Sequence, residues 1–161
     1  VSVDDLLVHP RENELLIGTY GRGIYKMDIS TIQEINDQIM LSDLYLFDIK
    51  EARLPKKRDY EGDWFFETAK YPEFIFFMKY PASVKVEIKD KSGEIIKTIE
   101  LEGIKGINRF EWDLVKEPAA YSKSAYKRGT KLFEAGIYTI SVISEGEKVT
   151  DTLVLKEYIS N

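Results

Sequence analysis

Residues 83–96 read SVKVEIKDKSGEII, and this stretch is the clearest guide to the fold. Val84, Val86 and Ile88 alternate with charged residues, a period of two that is typical of a strand with one buried and one solvated face. The letters DKSG at 90–93 have the chemistry of a tight turn and lead into a second apolar run. The stretch therefore predicts a β-hairpin that lies on a core.

The same alternation recurs along most of the chain. We predict further strands at 6–8, 14–19, 23–28, 43–50, 73–80, 95–101, 109–114, 138–142 and 149–156. Short strands with turns at regular intervals in the later part of the chain indicate an antiparallel β-sandwich. Its predicted core residues are Phe110, Trp112, Val84, Val86, Ile88, Tyr138 and Ile140.

One segment changes from a strand-like to a helical period. Isoleucines at helical spacing predict one short helix over 31–40. A capping box is expected at its start, formed by Ser30 and Gln33 or by Thr31 and Glu34.

The predicted elements divide the chain into three parts. The strands within 1–28 cannot cover both faces of a sheet by themselves, so we expect residues 1–42, which include the helix, to be a fragment of another β-domain. Residues 43–70 hold one strand and a charged, irregular linker, and residues 71–161 form the sandwich. One long polar connection, 116–132, has to cross between the sheets or lie over the surface.

The composition excludes several classes of protein. The 161 residues are 43% hydrophobic and 32% charged, the balance of a globular protein, and no apolar run approaches the roughly 20 residues of a membrane helix. The net charge of -5 is spread along the chain, so the basic surface of a nucleic-acid binder is missing. No cysteine is present for disulfides or thiolate chemistry. Because the chain starts at Val1 without a leader, we expect its start to be processed or cut.

A histidine and a pair of glycines are the first candidates for chemistry. His9, beside Pro10 in a turn, is the only histidine, so no second one can complete a metal site or a catalytic pair. Gly21-Arg22-Gly23 follows a strand, as a phosphate loop does, but the third glycine and the helix of a dinucleotide fingerprint are missing. We interpret His9 as structural and the glycines as hairpin-turn residues.

Paired carboxylates are the second candidates, because glycosidases use two of them. The pairs lie where nothing buries one acid and separates its pKa from that of the other; they are Asp4 with Asp5, Glu61 with Asp63, and Glu145 with Glu147. We interpret them as solvated surface charge. The segment 90–94, DKSGE, offers oxygen ligands for calcium, but Lys91 intrudes and only two carboxylates are present, so we interpret it as a turn.

Aromatic residues cluster in and just after the linker. They are Tyr60, Trp64, Phe65, Phe66 and Tyr71. Exposed aromatic rings can stack on sugars, whereas aromatics in a linker more often staple it to a neighbouring core. We favour packing over binding. No catalytic residue, metal ligand or cofactor site is predicted, and no binding residue can be singled out.

Three stretches resemble one family of proteins. Residues 9–25, HPRENELLIGTYGRGIY, resemble the last repeat of bacterial sortilin-like, BNR-repeat β-propellers described as glycosyl hydrolases. Residues 106–114, GINRFEWDL, look like their G-x-N-x-F-x-W-D-L strand. Residues 135–140, AGIYTI, resemble the pGxYTv strand of their C-terminal sandwich, which is akin to the FlgD-type immunoglobulin-like domain. The Asp-box of such propellers, S-x-D-x-G-x-x-W, is missing, so the repeat looks terminal.

The resemblance implies an all-β chain in which an immunoglobulin-like sandwich follows a partial β-propeller blade and one short helix. It implies a non-catalytic C-terminal accessory or interaction domain of a larger exported protein, extracellular or periplasmic. The expected partners are an upstream propeller of the same polypeptide and a carbohydrate or protein, with no nucleic acid and no membrane span. The alternative is a carbohydrate-binding module that assists an upstream glycoside hydrolase. Such a module exposes several aromatics on one face, whereas a structural domain buries them.

Overall fold

The computed structural model describes residues 2–54, 71–117 and 131–158. Across these ranges the chain is all-β with few helices, as predicted. It forms two compact units, residues 1–41 and residues 42–161.

The first unit is an antiparallel three-stranded sheet followed by two short helices. Its elements are β1 Val3–His9, β2 Glu14–Thr19, β3 Gly23–Asp28, α1 Ser30–Glu34 and α2 Asp37–Leu41. The strands follow each other in the order β1-β2-β3.

The second unit is a sandwich of two main sheets. Its elements are β4 Leu44–Leu46, β5 Ala52–Arg53, β6 Glu73–Met78, β7 Ala82–Lys89, β8 Ile95–Gly103, β9 Gly106–Glu111, β10 Val115–Glu117, β11 Lys131–Leu132, β12 Gly136–Ser144 and β13 Glu147–Lys156. A five-stranded sheet has the order β5-β13-β12-β7-β8, and a three-stranded sheet has the order β4-β6-β9. Strands β10 and β11 form a separate antiparallel pair.

The two main sheets share one core, because alternate residues of each point inward. The buried cluster is Leu44, Phe74, Phe76, Met78, Val84, Val86, Ile88, Trp112, Leu114, Tyr138, Ile140, Val142, Leu153 and Leu155. Six of the seven predicted core residues are buried, and the burial of Trp112 to 1% exposure confirms the choice of inner face. Phe110 is only partly buried at the edge of this cluster.

The single helix predicted over 31–40 is wrong, because two helices form. The chain becomes extended at Ile35, where ψ is 126°. The side-chain oxygen of Asn36 then accepts hydrogen bonds from the N–H groups of Gln38 and Ile39, at 3.0 and 3.1 Å, and so caps a new helix. The predicted capping box is also wrong, since α1 begins after Ile29 without a side-chain cap.

The sandwich begins earlier than predicted. Strand β4 pairs with β6, and β5 pairs with β13, although the sequence assigned both to the part before the sandwich. The β5–β13 pair is parallel, so the sandwich is not wholly antiparallel. A hydrogen bond from the N–H of Ile49 to the carboxylate of Asp151, at 2.8 Å, fixes the connection between β4 and β5. The remainder of the predicted linker, 55–70, lies outside the described residues.

The long polar connection joins the two sheets, which is one of the two predicted alternatives, and its two ends form a strand pair that was not predicted. Strands β10 and β11 pair, with Val115 opposite Leu132, and the chain passes through this pair from β9 in the three-stranded sheet to β12 in the five-stranded sheet. Their continuation, 118–130, lies outside the described residues.

Candidate interaction surface

One face of the first sheet carries a row of uncharged apolar side chains that ends at Thr19 on β2. Strand register places Leu6 beside Ile17 and Tyr25, and places Val8 beside Leu15 and Met27. Opposite residues in antiparallel strands point to the same side. We call this set the apolar face: Leu6, Val8, Leu15, Ile17, Tyr25 and Met27. Its four outer members are exposed and the two on β2 are half-buried.

The opposite face of this sheet is mixed. Leu7, Leu16 and Lys26 share it, and Lys26 forms an ion pair with Glu14, with 2.5 Å between the ammonium nitrogen and the carboxylate oxygen. Ile24 also lies on this side, at 78% exposure. The mixed face carries the charged groups of Lys26 and Glu14, whereas the six residues of the apolar face carry no charge. The apolar face is therefore the better candidate for a contact surface.

Turns with left-handed residues hold the three strands in this order. Asn13, between β1 and β2, has a φ of 52°, and Gly21 and Gly23 have φ values of 78° and 98°. Glycine adopts such angles without steric cost. The segment Gly21-Arg22-Gly23 is therefore a hairpin turn, as predicted, and its Arg22 is exposed.

His9 lies at the end of β1, opposite Glu14. Its ring nitrogen Nδ1 is buried, and it has no hydrogen-bond partner among the described residues. The carboxylate of Glu14, on the neighbouring strand, is paired with Lys26, and no group of three metal-binding side chains forms around His9 within the described ranges.

The two carboxylate pairs that lie in the described ranges are exposed. Asp4 and Asp5 lie on exposed β1, and Asp5 accepts a hydrogen bond from the N–H of Leu6 at 2.9 Å. Glu145 and Glu147 flank the turn between β12 and β13 and are exposed. Glu61 and Asp63 lie outside the described residues. Within the described ranges, no three carboxylate, histidine or cysteine side chains converge as metal ligands would.

The segment 90–94 is closed on itself as a turn. The carboxylate of Asp90 accepts hydrogen bonds from the N–H of Ser92 at 2.8 Å, from its hydroxyl at 2.6 Å and from the N–H of Glu94 at 3.1 Å. The hydroxyl of Ser92 is the main cause that holds the pKa of Asp90 below its usual value. One carboxylate oxygen of Asp90 thus accepts all three bonds and closes the turn.

The stretch 106–114 is a structural motif. Gly106 has a φ of 99°, which allows the chain to turn from β8 in one sheet to β9 in the other. Asn108 closes this corner: its amide donates to the carbonyls of Ile104 and Gly106, at 2.7 and 3.1 Å, and its oxygen accepts from the N–H of Ile104 at 2.8 Å. The ring of Phe110 stacks on that of Phe74, with 5.9 Å between their centroids.

Near its end, at Trp112, this motif contacts residues 135–140, a second stretch that carries the family resemblance. The indole of Trp112 packs edge-on against the ring of Tyr138, at 5.3 Å between centroids. The hydroxyl of Tyr138 donates to the carbonyl of Glu134 at 2.6 Å, and burial raises the pKa of the phenol. Leu114 follows with a left-handed φ of 57° and no exposed surface. Both stretches therefore build the core.

Most aromatic rings of the described sandwich are withdrawn from solvent. Phe47, Phe74, Phe76, Phe77, Trp112 and Tyr138 are buried. Only Tyr80 and Tyr158 are exposed among its described aromatics. Of the predicted linker cluster, Tyr71 is half-buried and Tyr60, Trp64, Phe65 and Phe66 lie outside the described residues.

A shallow open groove of about 590 Å³ crosses the end of the five-stranded sheet. Lys85, Glu100 and Glu102 line it together with Ser83, whose hydroxyl donates to Glu102 at 2.8 Å. Lys85 is paired with Glu87 at 2.8 Å, and Glu102 is bonded to Ser83, so these groups are engaged with one another and the groove is a weaker candidate than the apolar face.

Comparison with known proteins adds no assignment: no family model matches the chain, and no curated protein matches it. In the part of the chain that the structure describes, none of the helices is both long enough and apolar enough to cross a bilayer.

Proposed function

We propose that the chain is a non-catalytic accessory and interaction domain of a larger exported BNR-repeat propeller protein. The observation that carries the proposal is the apolar face, with four exposed and two half-buried side chains and no charge. Burying one such side chain is worth about 1.5–3 kcal/mol, so a contiguous exposed set of them favours contact with another surface. The proposed partner is an upstream propeller of the same polypeptide.

The sandwich supports an accessory role through its packing. The two stretches of residues that give the family resemblance, 106–114 and 135–140, contribute to one core around Trp112 and Tyr138. The alternative, a carbohydrate-binding module, needs several aromatic rings on one open face, and the described sandwich exposes only Tyr80 and Tyr158. Export rests on the family resemblance alone.

The docking proposal is tested by making the same substitution in two contexts. Leu6→Ser and Tyr25→Ser should cost under about 0.5 kcal/mol in the 161-residue chain, where these side chains are exposed. In the longer parent polypeptide each should cost about 1.5–3 kcal/mol, because docking buries them. Ile24→Ser, on the mixed face, is the matched control. Equal costs in the two contexts, measured by urea unfolding, would contradict the proposal.

The proposal also predicts no glycosidase activity for this chain. Purified protein should hydrolyse a panel of aryl glycosides no faster than buffer does, because we assign no acid and nucleophile pair to it. Turnover that disappears when one acidic residue is replaced would overturn this. Saturable binding of an oligosaccharide in calorimetry, lost on Tyr80→Ala, would favour the carbohydrate-binding alternative.

A further inference from the structure

The outer edge of β1 is a second surface of the first unit, distinct from its apolar face. Strand β1 is an edge strand, since the sheet order is β1-β2-β3 and no other described strand joins it. An edge strand presents a row of unpaired backbone N–H and C=O groups that can accept another strand. Natural edges are commonly protected by charge, proline or a bulge. The bulge of β1 lies between Val3 and Asp5, which leaves residues 5–9 regular. Within them the N–H of Leu6 donates to the exposed carboxylate of Asp5 at 2.9 Å, a local bond that a second strand would replace.

The regular part of this edge is complementary to itself. Residues 5–9 read DLLVH. When two copies run antiparallel about a two-fold axis at Leu7, Asp5 faces His9 of the second copy, Leu6 faces its Val8, and the two Leu7 residues face each other. Every acid then lies opposite an imidazole and every apolar side chain opposite another, and cross-strand pairs of both kinds stabilise a sheet.

We propose that two copies of this chain associate through β1 to form one continuous six-stranded antiparallel sheet. Leu6, Leu7 and Val8 are about half exposed, so they are available for this contact. The pairing is isologous, because each residue contacts its own counterpart across the axis, and such an interface closes at two copies. The two-fold axis is perpendicular to the sheet, so the apolar faces of the two copies lie on the same side and join into one surface.

The other edge of the sheet fits a second copy less well. Strand β3 reads GIYKMD over 23–28. The ammonium group of its Lys26 is already paired with Glu14. An antiparallel pairing of β3 with itself about Lys26 sets the two ammonium groups opposite each other, and one about Tyr25 sets Lys26 opposite Ile24. A pairing about Met27 sets Lys26 opposite Asp28 of the second copy but overlaps only residues 26–28 of the strand, against residues 5–9 in β1. The longer complementary overlap therefore selects β1.

Crosslinking gives a direct test because the chain has no cysteine of its own. Leu7→Cys places one thiol from each copy at the axis, where facing Cα atoms of antiparallel strands lie about 4.5–5.5 Å apart, within the range of a disulfide. Ile24→Cys, on the exposed opposite edge, is the matched control. Under mild oxidation the Leu7→Cys chain should form a covalent dimer at least about ten times faster than the control. Equal rates would overturn the proposal.

Charge exchange tests the register in the 161-residue chain. Light scattering and sedimentation should find a dimer at about 100 μM, a concentration that populates dimers with dissociation constants in the micromolar range. Asp5→Lys should weaken association about tenfold or more, since two symmetric pairs lose their attraction. The double exchange Asp5→His with His9→Asp should restore it. A monomer at all concentrations, or a dimer indifferent to these changes, would overturn the proposal; circular dichroism checks that each variant is folded.

Discussion

Leu114 combines two properties that ordinarily exclude each other, a left-handed backbone and complete burial. A left-handed conformation costs a non-glycine residue roughly 1–2 kcal/mol, because Cβ approaches the carbonyl oxygen. The side chain offsets this cost by filling the core between the sheets. Asp113 supports the turn by accepting a hydrogen bond from the N–H of Val115 at 3.1 Å.

Because of this backbone strain, we expect the usual order of stability of the alanine and glycine variants to be reversed at position 114. Leu114→Gly should be more stable than Leu114→Ala by about 0.5–1 kcal/mol, because both lose the buried side chain and only glycine escapes the backbone strain. At Leu101 on β8, where φ is not positive, the order should be the usual one, with alanine more stable than glycine. Urea unfolding of the four variants measures both differences. If the alanine variant were the more stable one at position 114 as well, the left-handed backbone of Leu114 would not be strained.

Asn108 is the most heavily bonded side chain of the corner between the sheets. Asn108→Ala removes three hydrogen bonds made by a buried side chain, two to Ile104 and one to Gly106, and at roughly 0.5–1.5 kcal/mol for each bond it should cost about 2–4 kcal/mol. Its neighbour Arg109 makes an exposed ion pair with Glu73 at 3.0 Å, so Arg109→Ala should cost about 0–1 kcal/mol. Thermal unfolding of both variants checks the contrast, and comparable losses would contradict it.

At this scale the sequence predicts which residue types matter better than it predicts their geometry. The apolar residues of the first strands are visible as a group, but the register decides that Tyr25 and Met27, not Ile24, share a face with Leu6. A one-residue shift exchanges the two faces of a strand. In β3 both sets of alternating positions contain apolar residues, so the sequence does not indicate which set shares a face with Leu6.

At the scale of elements, length separates the correct predictions from the wrong ones. Long strands such as β7 and β12 carry a full period-two pattern, and they form where the pattern predicts them. Strands β5 and β11 have two residues each, too few for any period, and exist because a partner strand pairs with them. The break between the two helices depends on the side chain of Asn36, a local cap that the isoleucine spacing does not reveal.

Strand β7 carries a pH-sensitive interaction on the outward side of the five-stranded sheet. Glu87 is 8% exposed and pairs with Lys85, with 2.8 Å between nitrogen and oxygen. The hydrogen bond from Lys85 lowers the pKa of Glu87 despite the opposing effect of burial. A carboxyl group with a lowered folded-state pKa stabilises the fold above its unfolded pKa, near 4.3, and loses that contribution as the pH falls through the folded value.

Glu87→Gln should therefore destabilise the sandwich at pH 7 and have progressively less effect below about pH 4.3. Glu147→Gln, at an exposed position where β13 begins, is the control and should change stability little at any pH. Urea unfolding at intervals between neutral and acidic pH follows the difference. A gap between wild type and Glu87→Gln that stays constant throughout would exclude the ion pair as its source.

At the scale of the whole molecule, the two compact units differ in how completely they bury their apolar residues. The sandwich has a shared core of fourteen buried residues. In the first unit, three side chains of the apolar face are about half exposed; they are Leu6, Val8 and Tyr25. A three-stranded sheet without a covered face is marginal by itself.

Deleting residues 1–42 should leave a folded sandwich with a cooperative thermal transition, because its core and both sheets remain. The isolated segment 1–42 should be unstructured or aggregate, since its apolar face and strand edges have nothing to cover them. Circular dichroism and light scattering of the two fragments make the comparison. A cooperative transition from the monomeric short segment would refute this assignment of stability.

The position of β13 governs when the sandwich can form during synthesis. Strand β5 pairs with β13, and β12 has β13 as one of its two neighbours, so the five-stranded sheet stays incomplete until residues 147–156 have been made. A ribosome adds roughly 5–20 residues per second, and until β13 has been made the nascent chain holds β5 and β12 without the strand that lies between them. Their apolar side chains are then open to chaperones and to other nascent chains, and a stop codon anywhere before β13 leaves a product that cannot close its core.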